Sequence, residues 1–341
     1  MGKFLSILVP HYNEEFSVVK PLLDSIRVQQ NINLNEIEVV ICDDGPDAVD
    51  ISAELMGYFD LDIKYYREEK GGVSKMRNLA FQHSTGEYVC WADCDDMFYH
   101  CLAFWFIKRE TVTPMMVIRN NVQVQVNGFD ALYSVFLEES RDPKTGEVVF
   151  LDRSDGFQFV HGKVFRRDFL VKNDIHFFDE CVIHEDNVLN LQVSACTDQI
   201  KWCPAPFYLW KWRDASVCRR DPLYLKKTYS DLIKSSNCSL EWLVSKSKFD
   251  KARETVCSIV FDAYYTFCHP SWNTVETAEY REKTQKDFSV YFKRWEYLWN
   301  EAPDQMKMAI SNAIRQRTVM EGMEMETMTL SQFLNYIKQL S

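Results

Sequence analysis

The hydrophobic residues of the first hundred positions alternate between short continuous runs and stretches with helical spacing. The continuous runs predict buried strands, and they lie at 4–9, 37–42, 63–66 and 88–92. The helical stretches have apolar residues at every third or fourth position, and they lie at 18–29, 48–59 and 73–83. Repeated β-α units of this length are typical of a parallel sheet with helices on both faces. The expected fold class is therefore α/β.

The pattern changes from about Met115 onwards. Residues 117–126 alternate between apolar and polar positions as an edge strand does. We expect 148–151 to pair with this strand across a charged loop at 138–146. Further elements are predicted as helices at 167–173 and 186–195 and as a strand at 207–212.

The last third of the sequence has a different character. Beyond Arg220 the apolar spacing is helical and amphipathic to the end of the sequence. Breaks are expected near His269-Pro270 and Ala302-Pro303, because proline interrupts a helix. The pattern therefore predicts a helical C-terminal region.

Polar residues follow three of the predicted strands directly, at 11–15, 43–44 and 93–96. Ligands of parallel sheets bind beyond the carboxyl ends of the strands, so these clusters predict a nucleotide site. In the last cluster, Asp93, Asp95 and Asp96 place like charges within four residues, where they repel strongly. A bound Mg²⁺ or Mn²⁺ relieves that repulsion and in turn holds the phosphates of a substrate. A solvated acidic loop is the alternative that this run alone leaves open.

The composition narrows the class of protein further. The chain has 341 residues, of which 46% are hydrophobic and 26% charged, an ordinary balance for a globular protein. Its net charge of −11 gives no strong signal for nucleic-acid binding. Its 11 cysteines form no CxxC pair, and several lie in apolar stretches, which predicts free thiols in a reducing cytoplasm. The sequence shows no signal peptide, and its longest apolar stretch, near 101–107, is too short to span a bilayer. We expect a soluble cytoplasmic protein without a transmembrane segment.

Four motifs occur in order at the ends of the predicted elements: Val9-Pro10-His11-Tyr12-Asn13-Glu14-Glu15, Cys42-Asp43-Asp44-Gly45, Gly71-Gly72-Val73-Ser74-Lys75-Met76-Arg77-Asn78 and Ala92-Asp93-Cys94-Asp95-Asp96. This order resembles the GT-A glycosyltransferases of family 2, which use nucleotide-diphospho-sugars and invert the anomeric centre. Later segments are similar to further motifs of the family, at 160–167, 184–186 and 208–216. The resemblance covers residues 4–217. One departure is Pro46, where the family usually has Ser or Thr.

The resemblance implies a domain organisation. The expected fold is GT-A, a Rossmann-like and mainly parallel central sheet flanked by helices, with a helical C-terminal region. The catalytic domain is expected at 1–220, with a nucleotide-binding half at 1–114 and an acceptor half at 115–220. The helical region then occupies 221–341, where it could hold an acceptor, form a dimer or make peripheral contact with a membrane.

The residues after the first two strands are expected to bind the nucleoside. A pyrimidine base needs a face to stack on and an acceptor for its N3–H, and Tyr12 and Asp44 stand at positions for these roles. Pro10 and Glu14 are expected to shape the pocket. The alternatives are plain packing for Tyr12 and a turn cap for Asp44, since Asp before Gly commonly caps a turn.

The third and fourth motifs are expected to bind the diphosphate and the metal. Gly72 allows close backbone approach at a helix start, where N–H groups and the dipole favour anions, and Arg77 can reach a phosphate or a carboxylate. We assign Asp95 as the direct metal ligand and Asp93 as its partner, near the ribose or the metal. Mn²⁺ or Mg²⁺ would neutralise the leaving nucleotide diphosphate.

Two later residues are assigned to the same part of the site. Arg213 could clamp the pyrophosphate. His161 could touch the diphosphate or the metal, although a lone histidine is commonly a structural group. Both assignments depend on the resemblance.

Inverting transfer needs a base that deprotonates the acceptor hydroxyl on the side of the sugar opposite the leaving group. The resemblance implies Asp186 for this role, with Glu185 as the second candidate. Asp186 could instead cap the helix that follows it, because Asp is favoured at that position.

The sequence therefore predicts a metal-dependent inverting glycosyltransferase. Its partners are expected to be a UDP-sugar donor and a carbohydrate acceptor, namely a polysaccharide, a teichoic acid or a glycolipid. One alternative is transfer to hydroxylated DNA bases, as in some phage-encoded relatives. Another is a non-catalytic protein that binds nucleotides or carbohydrates on a GT-A scaffold.

Overall fold

The computed structural model describes residues 2–45, 47, 49–142, 144–153, 158–181, 183–213, 223–272, 274–320 and 329–340. The chain divides into two compact units, Met1–Arg213 and Asp214–Ser341. Three features of the sequence analysis fall outside the described residues. They are Pro46, the predicted domain boundary at 220, and residues 214–216 of the last segment that resembles the family.

The first unit is a mixed α/β structure. Its strands, in chain order, are β1 (Leu5–His11), β2 (Ile37–Asp44), β3 (Ile63–Glu68), β4 (Tyr88–Trp91), β5 (Met97–Phe98), β6 (Pro114–Arg119), β7 (Val122–Asn127), β8 (Ala131–Ser134), β9 (Phe136–Arg141), β10 (Val148–Arg153), β11 (Lys163–Arg166), β12 (Ile200–Cys203) and β13 (Tyr208–Trp210). Its α-helices are α1 (Phe16–Arg27), α2 (Ser52–Leu55), α3 (Gly72–His83), α4 (Ala103–Val112), α5 (Arg167–Asn173) and α6 (Glu185–Cys196). The predicted α/β fold class is confirmed.

A seven-stranded sheet forms the centre of this unit within the described residues, in the order β12-β8-β11-β4-β1-β2-β3. Strands β1 to β4 run parallel to one another, whereas β11 runs antiparallel to both of its neighbours. Strand β2 is buried along its whole length and β1 along nearly all of it, which explains their continuous apolar runs.

The register of the parallel strands brings their polar ends together. His11 at the end of β1 pairs with Asp43 of β2, and β4 ends beside the same strand β1. The polar clusters at 11–15, 43–44 and 93–96 therefore follow adjacent strands at one edge of the sheet. This part of the sequence prediction is confirmed.

The second sheet corrects two predictions. Its order is β10-β9-β13-β5, so 148–151 pairs with β9 and not with 117–126. The predicted single strand at 117–126 is instead the hairpin of β6 and β7, which turns at Asn120 and Asn121. Both asparagines have positive φ, 51° and 62°, as a tight two-residue hairpin turn requires. The predicted charged loop at 138–146 begins as β9.

The helix predicted at 48–59 is shorter in the structure. Helix α2 covers only Ser52–Leu55 and continues as a 3₁₀ turn, Met56–Tyr58. The carboxylate of Asp50 accepts a hydrogen bond from the Ser52 N–H at 2.9 Å, which forms a turn directly before the helix. This local bond explains why the helix begins late.

The second unit is helical, as predicted. Its described α-helices are Tyr224–Lys227, Tyr229–Ser245, Phe249–Cys268, Ala278–Glu301, Asp304–Met320 and Leu330–Leu340. Two of them end directly before His269-Pro270 and Ala302-Pro303, so both predicted breaks are confirmed. Among the described helices, none has the length and apolar character needed to cross a bilayer. The described cysteines of both units form no disulfide.

Candidate active site

The acidic run after β4 forms a turn that is tied to the second sheet. The Asp96 N–H donates to the Asp93 carbonyl at 3.1 Å, and the Asp93 N–H donates to the Tyr208 hydroxyl at 3.0 Å. That hydroxyl in turn donates to the Asp96 carboxylate at 2.7 Å, while the other Asp96 oxygen accepts from the Lys211 N–H at 2.9 Å. Both carboxylate oxygens of Asp96 are therefore bound to β13 and the residue that follows it.

Asp93, Asp96 and His161 lie close enough to hold a divalent cation. Each offers a ligand atom, and these atoms lie within 4.8 Å of one another. Both ring nitrogens of His161 are buried and have no hydrogen-bond partner among the described residues. Burial lowers the pKa of His161 to about 4, so the ring is neutral at pH 7, the form that binds metals. An imidazole buried with two unpaired nitrogens fits a metal ligand, because leaving such atoms unsatisfied is costly.

The charges around this cluster also favour a cation. Burial, reinforced by the Asp93 charge, raises the pKa of Asp95. Burial and the charges of Asp95 and Asp93 raise the pKa of Asp96 well above its usual value. Carboxylates that hinder one another's ionisation in this way fit Mn²⁺ or Mg²⁺, because a hard cation balances their charge.

Asp95, the predicted direct metal ligand, has a protein cation as its partner. The Arg213 Nη1 donates to its carboxylate at 2.7 Å and lies 3.7 Å from the Glu14 carboxylate. Burial works against the charge of Arg213, but the Asp95 carboxylate outweighs it and raises the pKa of the guanidinium. The structure thus brings Arg213 into contact with both Glu14 and Asp95, as the sequence assignment to one site requires.

Arg77 is at the centre of a buried group of acidic residues. Its Nη1 donates to Glu185 at 2.6 Å and to Asp186 at 2.7 Å, and its Nη2 donates to Asp93 at 3.0 Å. The Arg77 side chain is only 4% exposed. One guanidinium therefore joins the acidic run to the predicted base motif.

Asp186 is the second residue of α6, which begins at Glu185 after His184, so it is not the residue that caps this helix. Its Oδ1 accepts from Arg77, and its Oδ2 accepts from the Val160 N–H at 3.0 Å. Burial raises the pKa of Asp186 to about 6, while the Arg77 charge opposes that rise. At pH 7 the carboxylate is mainly ionised and can accept a proton.

Asp44 caps the start of α3. Its two carboxylate oxygens accept hydrogen bonds from the backbone N–H groups of Gly71 at 2.6 Å and Gly72 at 3.0 Å. Gly72 has a φ of 84°, where a residue with a side chain is strained. The predicted capping role of Asp44 thus occurs, although at the start of α3 and not in its own turn.

Tyr12 lies on the open side of the site, half exposed at 49%. The Lys70 ammonium donates to its hydroxyl at 3.0 Å and lies 4.7 Å from the ring centre. The Glu14 carboxylate accepts from the Tyr12 N–H at 3.0 Å, and Pro10 is the penultimate residue of β1. An accessible aromatic ring at a strand end is suited to stacking on a nucleobase.

Sequence reasoning missed one buried network beneath these residues. Asp43 is fully buried, and its carboxylate contacts His11 Nδ1 at 3.1 Å, the Tyr65 hydroxyl at 2.7 Å and Arg67 Nε at 3.1 Å. Successive strand residues face opposite sides, so the pair Asp43-Asp44 already implied that one carboxylate would point away from the other. The network binds together the ends of β1, β2 and β3.

The N-terminal part of the chain is similar to known glycosyltransferases. Residues 6–172 match the family model for glycosyl transferase family 2. Poly(ribitol-phosphate) beta-N-acetylglucosaminyltransferase TarS of Staphylococcus aureus strain MW2 is 27% identical over 210 residues, which are 59% of this chain and 34% of TarS. The glycosyltransferase EpsJ of Bacillus subtilis strain 168, itself uncharacterised, is 22% identical over 230 residues, 62% of each chain. The chain thus spans about a third of the length of TarS.

Solved structures show the same fold. The crystal structure of S. aureus TarS 1–349 in complex with UDP-GlcNAc has a TM-score of 0.63 and 17% identity, covering 98% of this chain and 89% of that one. The span of the family model contains all four N-terminal motifs and ends before α6. The N-terminal unit has the GT-A fold, and within it residues 6–172 belong to glycosyl transferase family 2.

Proposed function

We propose that this protein is a metal-dependent, inverting glycosyltransferase that moves a sugar from a UDP-sugar to a hydroxyl of a polysaccharide, teichoic acid or glycolipid. The observation that carries the proposal is the guanidinium of Arg77, which contacts both Asp93 and Asp186. Because one side chain contacts both, the acidic run and the candidate base belong to one site. An inverting transferase needs the base and the diphosphate site close together, since the acceptor oxygen that the base deprotonates attacks the carbon from which the diphosphate leaves.

The proposed donor is a UDP-sugar. TarS, which has the same fold, was solved with UDP-GlcNAc. The residues that the sequence analysis assigns to the donor are Pro10, Tyr12, Glu14, Asp44, Gly72, Arg77, Asp93 and Arg213; of these, Arg77 is given another role below. Among them, Arg213 supports a diphosphate contact best, because it faces the carboxylates of Asp95 and Glu14 and is 30% exposed. When a diphosphate binds together with a cation, the cation can balance the charge of Asp95, and the Arg213 guanidinium can then bind the diphosphate.

The proposed metal ligands are Asp95, Asp93 and His161, and the geometry adds Asp96 as a neighbour of the last two. Of the four, Asp96 has both carboxylate oxygens already bound to the protein. When bound, Mn²⁺ or Mg²⁺ supplies Lewis-acid stabilisation of the leaving diphosphate. We therefore keep Asp95 as the direct carboxylate ligand.

Asp186 is the proposed catalytic base. Its carboxylate accepts the proton of the acceptor hydroxyl, whose oxygen bonds to the anomeric carbon as the bond from that carbon to the diphosphate oxygen breaks. UDP leaves with the electron pair of the broken bond, and the sugar inverts. Glu185 is the second candidate, because its carboxylate contacts the same Arg77.

The acceptor is proposed from the relatives. TarS is named for a poly(ribitol-phosphate) acceptor, which supports a teichoic acid among the acceptor classes. We assign catalysis to residues 1–220, with the nucleotide at 1–114 and the acceptor at 115–220, and an accessory role to the helices of 221–341. The described cysteines form no disulfide, which supports a cytoplasmic reaction.

Thermal denaturation with UDP, GDP and CDP tests the donor site, each with and without Mn²⁺ or Mg²⁺. UDP should raise the melting temperature, and metal should increase the effect. At a hundredfold excess of UDP over its dissociation constant, the free energy of unfolding should rise by about 2.7 kcal/mol. If no nucleoside diphosphate raises it with either metal, the donor assignment is wrong. Asp95→Asn should lose the increase due to metal. Loss of that increase in Asp96→Asn alone would instead move the direct ligand to Asp96, which lies in the cluster with Asp93 and His161.

A transfer assay then distinguishes a glycosyltransferase from a protein that only binds nucleotides. UDP release from UDP-GlcNAc should increase when poly(ribitol phosphate) is added, and sugar should appear on the polymer. Hydroxymethylated DNA serves as the comparison acceptor, and transfer to it would replace the acceptor assignment. A protein that binds UDP with Mn²⁺ but releases no UDP from any UDP-sugar would be a non-catalytic nucleotide-binding protein.

A further inference from the structure

We propose that Arg77 is a positioning residue, which holds the base Asp186 in place against the donor-side carboxylate Asp93 and does not bind the donor phosphates. This inference rests on the proposed function and changes the role that the sequence suggests for Arg77. Three elements meet at this side chain: α3, which carries it, α6, and the turn after β4.

The guanidinium is enclosed by protein on several sides. Both N–H bonds of Nη1 have carboxylate acceptors, Glu185 and Asp186, and Nη2 has Asp93. Nε is buried without a partner among the described residues, and the ring of Phe177 lies 5.3 Å from the guanidinium carbon. With 4% of the side chain exposed, no edge with two free N–H groups faces solvent. A phosphate therefore cannot make the bidentate contact that favours arginine at phosphate sites.

The same contacts immobilise Asp186. Arg77 binds one carboxylate oxygen and the Val160 N–H binds the other, so the carboxylate plane is fixed from both sides. A base acts efficiently only within hydrogen-bond reach of the proton it accepts. Because the guanidinium also binds Asp93, it fixes the position of Asp186 relative to Asp93, the carboxylate on the proposed donor side.

Lysine cannot reproduce this arrangement. A guanidinium directs its five N–H groups in one rigid plane, whereas an ammonium is a compact point charge on a flexible stem. Arg77→Lys keeps the charge but cannot contact Glu185, Asp186 and Asp93 with the same geometry. This substitution therefore tests position separately from charge.

The experiment compares Arg77→Lys with Arg213→Lys in the full chain, with UDP-GlcNAc, poly(ribitol phosphate) and Mn²⁺. Arg77→Lys should lower kcat at least a hundredfold and leave the donor KM and the affinity for UDP–Mn²⁺ within threefold of wild type. Arg213→Lys, the matched control, should instead raise the donor KM. If Arg77→Lys raises the donor KM and keeps kcat, Arg77 is a phosphate ligand and the inference is wrong.

A double-mutant cycle with Asp186→Asn gives the second readout. If Arg77 acts through the base, Arg77→Lys should lower kcat less than threefold once Asp186 is Asn, because the function it supports is already lost. Additive losses would overturn the inference. Should Arg77→Lys fail to fold, Glu185→Gln replaces it, because this variant removes one of the three carboxylates that Arg77 binds. Glu185→Gln should lower kcat without weakening UDP–Mn²⁺ binding. An unchanged kcat would overturn the inference. A wild type that transfers no sugar from any UDP-sugar rejects the proposed function itself.

Discussion

The open and the buried sides of the candidate active site compensate their charges in different ways. On the open side, Tyr12 is 49% exposed beneath Lys70, and Arg213, which pairs with Asp95, is 30% exposed. On the buried side, Arg77 is 4% exposed and is surrounded by three carboxylates. Exposed ion pairs contribute about 0–1 kcal/mol and exchange partners readily, whereas a buried pair is costly to break. The comparison teaches that the open side, proposed for the donor, can rearrange around a ligand, whereas the buried side, which carries the proposed base, is already formed.

The largest expected effect is on the buried side. Asp186→Asn preserves the shape of the side chain but cannot accept the acceptor's proton, so transfer should slow by ~10²–10⁴ in kcat. UDP–Mn²⁺ binding, measured by calorimetry, should not change. The melting temperature should change little, because relief of a buried charge whose pKa is raised is offset where the Asn amide NH₂ faces Arg77 or Val160, which are both donors.

Glu185→Gln is the comparison for that variant, since the two residues are adjacent and both contact Arg77, and it should lower kcat by less than Asp186→Asn does. Near wild-type transfer by Asp186→Asn, together with an inactive Glu185→Gln, would move the base to Glu185. Full activity of both variants would leave this segment with a structural role.

Folding stability should separate the two sides next. Arg77→Met retains much of the side-chain volume but leaves three carboxylates without their counter-ion, so the free energy of unfolding should fall by about 3–5 kcal/mol. Arg213→Met removes a partly exposed pair and should lower it by about 1 kcal/mol or less. Urea denaturation measures both values, and equal losses would contradict the comparison.

The pH dependence of transfer should be the mildest effect. The pKa of Asp186 is raised to about 6, so the ionised base predominates at pH 7 and is lost as the pH falls through 6. Below that value, kcat should fall about tenfold per pH unit, since each unit reduces the ionised fraction tenfold. UDP–Mn²⁺ binding measured at each pH separates loss of the base from loss of the metal. A kcat that stays constant down to pH 5 would argue against Asp186 as the base.

Most of the central sheet could be predicted from sequence because its signals are local. Continuous apolar runs predicted β1, β2 and β4, and the polar residues directly after them indicated the site. The errors came from long-range pairing: no local pattern states that 148–151 pairs with β9, and the turn at Asn120-Asn121 was the one local sign of the hairpin.

The same limit applies to the candidate site. The contacts of Tyr208 with Asp96 and of Arg77 with Asp186 join residues 112 and 109 positions apart, so motif spacing could not predict them. The motifs drew attention to Arg77 and Asp186, which the structure brings into contact. They did not indicate that the two side chains bind each other.

The hydroxyl of Tyr208 also determines which length changes the chain could tolerate during evolution. This one atom accepts from the Asp93 N–H and donates to Asp96, so β13 must present the correct face to the acidic turn. A single inserted residue before Tyr208 would turn every side chain of β13 to the opposite face and release that turn. Residues 144–147, between β9 and β10, are exposed, and insertions in exposed loops are well tolerated. Variation in length among descendants of this chain should accumulate there, and the few residues before Tyr208 should keep their number.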